Sequence, residues 1–193
     1  MVLKNKTVFI FSYFVNCFSD RSQEIGYEIY EPFCGEGHIS KFFKEHGFKV
    51  IEYDLYSDYA TQKVDYTKSL DPPYGFLVTN PSYAPEVKWP SIEKAALSGK
   101  PYAMLLSMNI LGSIIGSKIF EQYPVSIYMF RRGLKFERPD GSTVVFTNMA
   151  WFVGNVETNP LAGVIDIRYI DTCSEEENSH ESFSIVGQDL DEF

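Results

Sequence analysis

Cysteine is scarce in this chain. Only Cys17, Cys34 and Cys173 occur. Their spacing fits no zinc pattern, and an odd number argues against a disulfide framework, so a reducing cytoplasm is the expected setting. A membrane-length hydrophobic run is also missing. Residues 7–18 are apolar and follow Lys4 and Lys6, but the stretch is too short to span a bilayer. It has no small-residue cleavage site and contains Ser12 and Asn16, so it reads as a helix or strand packed on a sheet rather than an export signal. Basic residues are absent from the end of the chain: from Asp171 onward there are eight acidic side chains and no Lys or Arg. That stretch is expected to be a disordered tail, 171–193, behind one domain of residues 1–170. Without it the chain has 17 basic and 18 acidic side chains. Such a body does not strongly repel nucleic acid, yet it lacks the basic excess of a dedicated nucleic-acid binder. No internal repeat is visible, and 193 residues leave little room for a separate recognition domain.

What is present is a strand, a glycine loop, a helix and a second strand in residues 28–54. Ile29 and Tyr30 form a short apolar strand that ends at Glu31-Pro32. The loop Phe33-Cys34-Gly35-Glu36-Gly37 follows. Ile39, Phe42 and Phe43 then share one face of a helix over 38–46, and Gly47 is placed to stop it. The strand over 49–54 ends on Asp54. Gly35 and Gly37 allow positive φ and close approach of a ligand. In an open α/β sheet such a loop lies at the ligand-binding edge, and Asp54 can accept hydrogen bonds from two ribose hydroxyls. A dinucleotide fingerprint would have a third glycine, where this chain has Ser40. That disfavours an NAD or ATP site. Cys34 is expected to be a small loop-filling residue rather than a catalytic thiol.

The pattern E-P-x-x-G-x-G, helix, then strand ending in Asp resembles motifs I and II of the class I S-adenosylmethionine-dependent methyltransferases. The resemblance implies S-adenosylmethionine as cofactor and a Rossmann-like α/β sandwich. Its sheet would have seven mostly parallel strands, with the last antiparallel. By the same resemblance Glu31, Pro32, Gly35 and Gly37 line the cofactor site and Asp54 holds the ribose. In that family an acidic residue followed by a bulky one ends a third strand and covers the adenine. Asp65 and Tyr66 match that pattern, although Asp65 also suits an ordinary turn. The family often has a further cofactor motif near the start of the chain, for which Tyr27 is a weak candidate.

Amino-methyltransferases within this family carry (D/N/S)-P-P-(Y/F/W). The chain offers it twice, as Asp71-Pro72-Pro73-Tyr74 and as Asn80-Pro81-Ser82-Tyr83. Only the second directly follows an apolar strand, Phe76-Leu77-Val78, and so emerges at the binding edge of a sheet. The first is read as the turn into that strand. At the second, the Asn80 side-chain oxygen and the Pro81 carbonyl can accept the two N–H hydrogens of an aromatic amine. Tyr83 can stack on an extruded base, and Ser82 replaces the usual proline. No metal or nucleophile is required, since positioning carries the reaction.

Downstream, the pattern predicts a helix over 91–99 with Ser91 as its cap and a strand over 101–108. A helix over 109–122 and strands over 125–130, 144–153 and 163–170 follow. Arg131, Arg132, Lys135 and Arg138 cluster around Phe136, ahead of a hairpin turn at 139–142. This ending is similar to compact phage-type DNA adenine methyltransferases. The resemblance implies DNA as partner, with Arg131, Arg132 and Lys135 on its phosphates and a partner subunit as one source of target recognition. Transfer to RNA amines or to a protein glutamine, a non-catalytic cofactor-binding subunit, and a nucleotide-binding oxidoreductase stand as alternatives.

Overall fold

The structure, a computed structural model, describes residues 28–131, 133–137, 142–156, 165–170 and 182–185. The strands are β1 (Glu28–Glu31), β2 (Lys49–Asp54), β3 (Gln62–Lys63), β4 (Phe76–Thr79), β5 (Tyr102–Ser107), β6 (Val125–Phe130), β7 (Leu134–Glu137), β8 (Thr143–Phe146), β9 (Met149–Gly154), β10 (Ile165–Ile170) and β11 (Ser182–Ile185). The helices are α1 (His38–Glu45), α2 (Pro85–Leu97) and α3 (Ile114–Gln122), with a 3-10 turn over Met108–Ile110.

Among the described residues, nine strands form one sheet in the order β11-β10-β6-β9-β5-β4-β1-β2-β3, and β7 pairs with β8 in a separate hairpin. From β3 through β2, β1 and β4 to β5 every neighbour is parallel. β9 runs antiparallel between β5 and β6. The mostly parallel sheet with an antiparallel strand entered through a hairpin is therefore present. The strand count is larger than expected, because β10 adds parallel to β6 and β11 adds antiparallel to β10. Within the stretch 171–193, Ser182–Ile185 forms β11 and pairs with β10. The rest of that tail, and residues 7–18, Cys17, Cys173 and Tyr27, lie outside the described residues.

Alternation along the strands divides the core between the two faces of the sheet. Ile29, Val78, Leu105 and Trp151 point to the face covered by Ile39 and Phe43 of α1. Tyr30, Leu77, Met104 and Phe152 point to the other, which is covered by Ile92 and Ala95 of α2 and Phe120 of α3. Burying each of these larger side chains contributes about 1.5–3 kcal/mol. β4 is buried along its whole length, as a central parallel strand covered on both faces must be.

Local boundaries show which signals decide. α1 stops at Gly47, whose φ of 86° only glycine adopts readily. α2 begins at Pro85, six residues before the expected cap at Ser91, and Ser91 is instead buried inside the helix. Pro85 sits in the first turn, where its missing N–H costs nothing, and Pro90 continues the helix rather than ending it. The helix expected over 109–122 is split. The 3-10 turn ends at Ile110, and α3 starts after Ser113, whose Oγ accepts from the Gly116 N–H at 3.0 Å. The strand expected over 144–153 is likewise two, β8 and β9. Among the described residues no helix is long and apolar enough to cross a membrane.

Candidate functional site

The parallel strands β1, β2, β4, β5 and β6 deliver their C-terminal ends to one edge of the sheet. The glycine loop follows β1 there, Asp54 closes β2, and Asn80 follows β4 directly.

The β1–β2 half is tightly hydrogen-bonded. Asp54 Oδ2 accepts the Gly35 N–H at 3.0 Å, and its Oδ1 accepts the N–H groups of Tyr56 and Ser57 at 2.8 and 3.0 Å. The Ser57 hydroxyl donates to the Gly35 carbonyl. The two glycines differ in purpose. Gly35, at φ 51°, has no atom within 4 Å of where a side chain would begin, so its backbone borders open space. Gly37, at φ 76°, has the Tyr59 ring in that position. Lys41 and Lys44 lie 4.9 and 5.7 Å from the same ring. Pro32 is buried in the turn below the loop.

Glu31 and Tyr66 are placed differently from the expectation. Glu31 is 2% exposed and accepts a hydrogen bond from the Ser40 hydroxyl. Burial pushes its carboxyl up to about 8, against the pull of that hydrogen bond. Its carboxyl is enclosed in the fold and tied to α1 through Ser40. Ser40, at the third-glycine position, supplies that donor, so its departure from the fingerprint has a structural use. Tyr66 is 1% exposed and packs edge-on against Tyr30 and Phe33, at 6.0 and 5.7 Å. Its ring is a core element and offers no face to an adenine in this conformation. Asp65 lies in the turn after β3, not in the strand. It pairs with Lys68 at 2.8 Å and accepts from the Thr67 N–H and hydroxyl at 3.0 and 2.7 Å. Hydrogen bonding to Lys68, then to Thr67, holds its carboxyl below the usual carboxylate range. Cys34 is buried, and burial pushes its thiol up to about 12, which makes it a poor nucleophile at neutral pH.

The β4–β5–β9 half is more open. Pro81 is buried, Ser82 is exposed, and Asn80 is half-buried. Tyr83 is 43% exposed, but its hydroxyl end turns inward. That hydroxyl lies 2.9 Å from Asn80 Oδ1, 3.1 Å from the Leu105 carbonyl oxygen and 3.9 Å from Met149 Sδ. Desolvation by burial raises its phenol above the ordinary range, so it stays protonated at neutral pH. Beside it, Asn148 Nδ2 donates to Ser107 Oγ at 3.0 Å and to Asn109 Oδ1 at 3.3 Å. The links from Tyr83 to Leu105 and from Asn148 to Ser107 join strands far apart in sequence, and no local pattern announces them.

Asp71-Pro72-Pro73-Tyr74 sits at the opposite end of β4, as the turn into that strand. Asp71 pairs with Lys94 at 2.7 Å, and Tyr74 packs on Tyr30 at 5.2 Å. Of the basic cluster, Arg131 is exposed at the end of β6, on the same edge as Asn80. Its N–H donates to the Ile170 carbonyl at 2.9 Å, and its guanidinium lies 5.8 Å from the Tyr169 ring. Arg132, Arg138 and the Lys135 side chain lie outside the described residues.

No family model matches the sequence. No curated protein matches it either. Solved structures do resemble the fold. A putative class I S-adenosylmethionine-dependent methyltransferase from Listeria monocytogenes aligns at a TM-score of 0.57 and 12% identity, over 88% of this chain and 65% of that one. An S-adenosylmethionine-dependent O-methyltransferase from Thermotoga maritima aligns at 0.52 and 14%, over 92% of this chain and 68% of that one. The chain thus spans about two thirds of the length of each. At this identity the likeness speaks to the fold alone, a mostly parallel, Rossmann-like α/β sheet shared with these two proteins.

Proposed function

We propose that this protein transfers a methyl group from S-adenosylmethionine to an exocyclic amino nitrogen, with adenine N6 in DNA as the leading substrate. The observation that carries the reading is the position of Asn80-Pro81-Ser82-Tyr83, directly after β4 at the edge that also bears the glycine loop. The fold adds support, since open α/β sheets bind ligands at this edge.

The residues present fit the cofactor at its nucleoside end. Gly35 borders open space, and Asp54 Oδ2 accepts the Gly35 N–H, which leaves its second lone pair for a ribose hydroxyl. Gly35 and Asp54 would hold the ribose side, with Glu31 and Ser40 stiffening the loop from beneath. Asp65 could reach an adenine amine only by loosening its ties to Lys68 and Thr67. When bound, S-adenosylmethionine supplies a methyl group already activated as a sulfonium.

The target amine is a weak nucleophile because its lone pair is delocalised into the ring. Asn80 Oδ1 and the Pro81 carbonyl accept its two N–H hydrogens, which favours a pyramidal nitrogen with its lone pair directed at the methyl group. The exposed part of the Tyr83 ring gives the base a stacking surface. Arg131 contacts phosphates at the same edge.

The test is transfer of labelled methyl from S-adenosylmethionine to duplex DNA, single-stranded DNA, RNA and protein, with wild type and Asn80→Ala in parallel. Label on DNA adenine that vanishes in Asn80→Ala supports the proposal. Label on a protein amide or an RNA base, again lost in Asn80→Ala, moves the substrate and keeps the site. Cofactor binding without transfer to any of them makes the chain a non-catalytic subunit. If DNA is the substrate, Arg131→Ala flattens the fall in activity with rising salt.

A further inference from the structure

We infer that Tyr83 is a positioning residue for Asn80, whose hydroxyl orients the Asn80 amide so that Oδ1 faces the incoming amine. The inference deepens the transfer reading above and rests on it. A tyrosine hydroxyl has one proton to give and lone pairs to accept with. Two oxygens compete for that proton, Asn80 Oδ1 at 2.9 Å and the Leu105 carbonyl at 3.1 Å, with the weaker acceptor Met149 Sδ farther off at 3.9 Å. The Leu105 oxygen can only accept. The Asn80 amide can present either end, because its oxygen and nitrogen ends have nearly the same shape.

Two arrangements follow. In one, the arrangement the structure holds, the phenolic proton goes to Asn80 Oδ1 and the amide turns its NH2 toward the site. Donor then meets donor when an amine arrives. In the other, the proton goes to the Leu105 carbonyl, and the phenolic oxygen accepts from Asn80 Nδ2. Both contacts of the hydroxyl are then satisfied at once, and Oδ1 points outward to accept the N–H of the target. The second arrangement is the reactive one, and a target amine selects it. Leu105 is a buried β5 residue facing the core, so the anchor is rigid. The ring stays 43% exposed while its hydroxyl is anchored, so one side chain can both stack on the base and orient the amide.

A carboxylate at position 80 has two equivalent oxygens and no orientation to fix, which makes the inference testable. We would measure kcat, KM and S-adenosylmethionine affinity for wild type, Y83F, N80D and the double variant. Y83F is expected to lower kcat about tenfold, with KM and cofactor affinity nearly unchanged. In the N80D background the same change is expected to cost no more than about twofold. Equal losses in both backgrounds, or no loss in Y83F, overturn the inference. A second readout needs no turnover and decides the matter if N80D is inactive by itself. The Asn80 side-chain NH2 protons, followed by NMR with the product S-adenosylhomocysteine and an adenine oligonucleotide bound, should be protected from exchange in wild type and unprotected in Y83F. Equal exchange in the two proteins overturns the inference. Wild type that binds cofactor but methylates nothing overturns the transfer reading instead, and the two failures are thus distinguishable.

Discussion

Nearly the same tetrapeptide stands at both ends of β4. Asp71-Pro72-Pro73-Tyr74 leads into the strand, and Asn80-Pro81-Ser82-Tyr83 leaves it. At the entry, the acid is consumed by structure. Lys94 binds Asp71 at 2.7 Å and the carbonyls of Tyr66 and Ser69 at 2.6 and 2.8 Å, tying three points of the chain to α2. Tyr74 lies against Tyr30, with Lys100 4.0 Å from its ring. At the exit, the polar residue meets the Tyr83 hydroxyl, and the aromatic ring keeps a solvent-facing part. The entry copy matches the family pattern more literally, yet it is the exit copy that lies beside the glycine loop. Strand direction, not spelling, decides which copy can meet a ligand.

The largest expected effect comes from the exit. Asn80→Ala should lower kcat about 100-fold or more, with thermal stability nearly unchanged, as measured by methyl transfer and melting on the same preparations. A fully active Asn80→Ala would collapse the distinction between the two copies. Next in size is Asp54→Ala, which should weaken S-adenosylmethionine binding by about 1–3 kcal/mol in a calorimetric titration. It should do so although Asp54 belongs to neither copy, because it shares the exit edge. Asp71→Ala should do the reverse of Asn80→Ala. Its unfolding free energy in urea should fall by about 1–2 kcal/mol, less than for a fully buried pair because solvent reaches part of the ion pair, with turnover per folded molecule preserved.

The smallest effect concerns Glu31, a buried acid at the exit edge that behaves structurally. Its carboxyl is raised by burial to about 8 in the folded protein, whereas the unfolded chain has an ordinary glutamate. The folded state therefore holds its proton more tightly. The stabilising contribution is full below the ordinary glutamate range and is lost as pH rises through about 8. Glu31→Gln should remove that loss. Its melting temperature relative to wild type should rise by a few degrees between pH 6 and pH 9, roughly, and a flat difference would count against the assignment.

The elements with strong local grammar were legible in the sequence. The strand over 49–54, the strand over 125–130 and the glycine stop at Gly47 have the expected bounds. The buried strand directly before Asn80 was also legible, from Phe76-Leu77-Val78. What was not legible depends on tertiary contacts. Tyr66 follows an acid just as the family pattern asks, but Tyr30, Phe33 and the Lys94 ammonium enclose its ring. The start of α2 was misplaced because Ser91 reads as a cap, while Pro85 six residues earlier permits a start. Ser40 looked like a defect in a glycine fingerprint until the fold put Glu31 beneath it.

The extra strands at the far side of the sheet bear on how the molecule tolerates its own concentration. Without them the sheet would end at β6, an edge of six mostly buried residues able to template pairing with a second molecule. β10 pairs along all six of those residues, and β11 then closes the row with only four. The opposite margin is β3, two exposed residues, one of them a lysine. Among the described residues the long sheet thus ends at both sides in short strands, whose backbone groups offer little for another copy to extend.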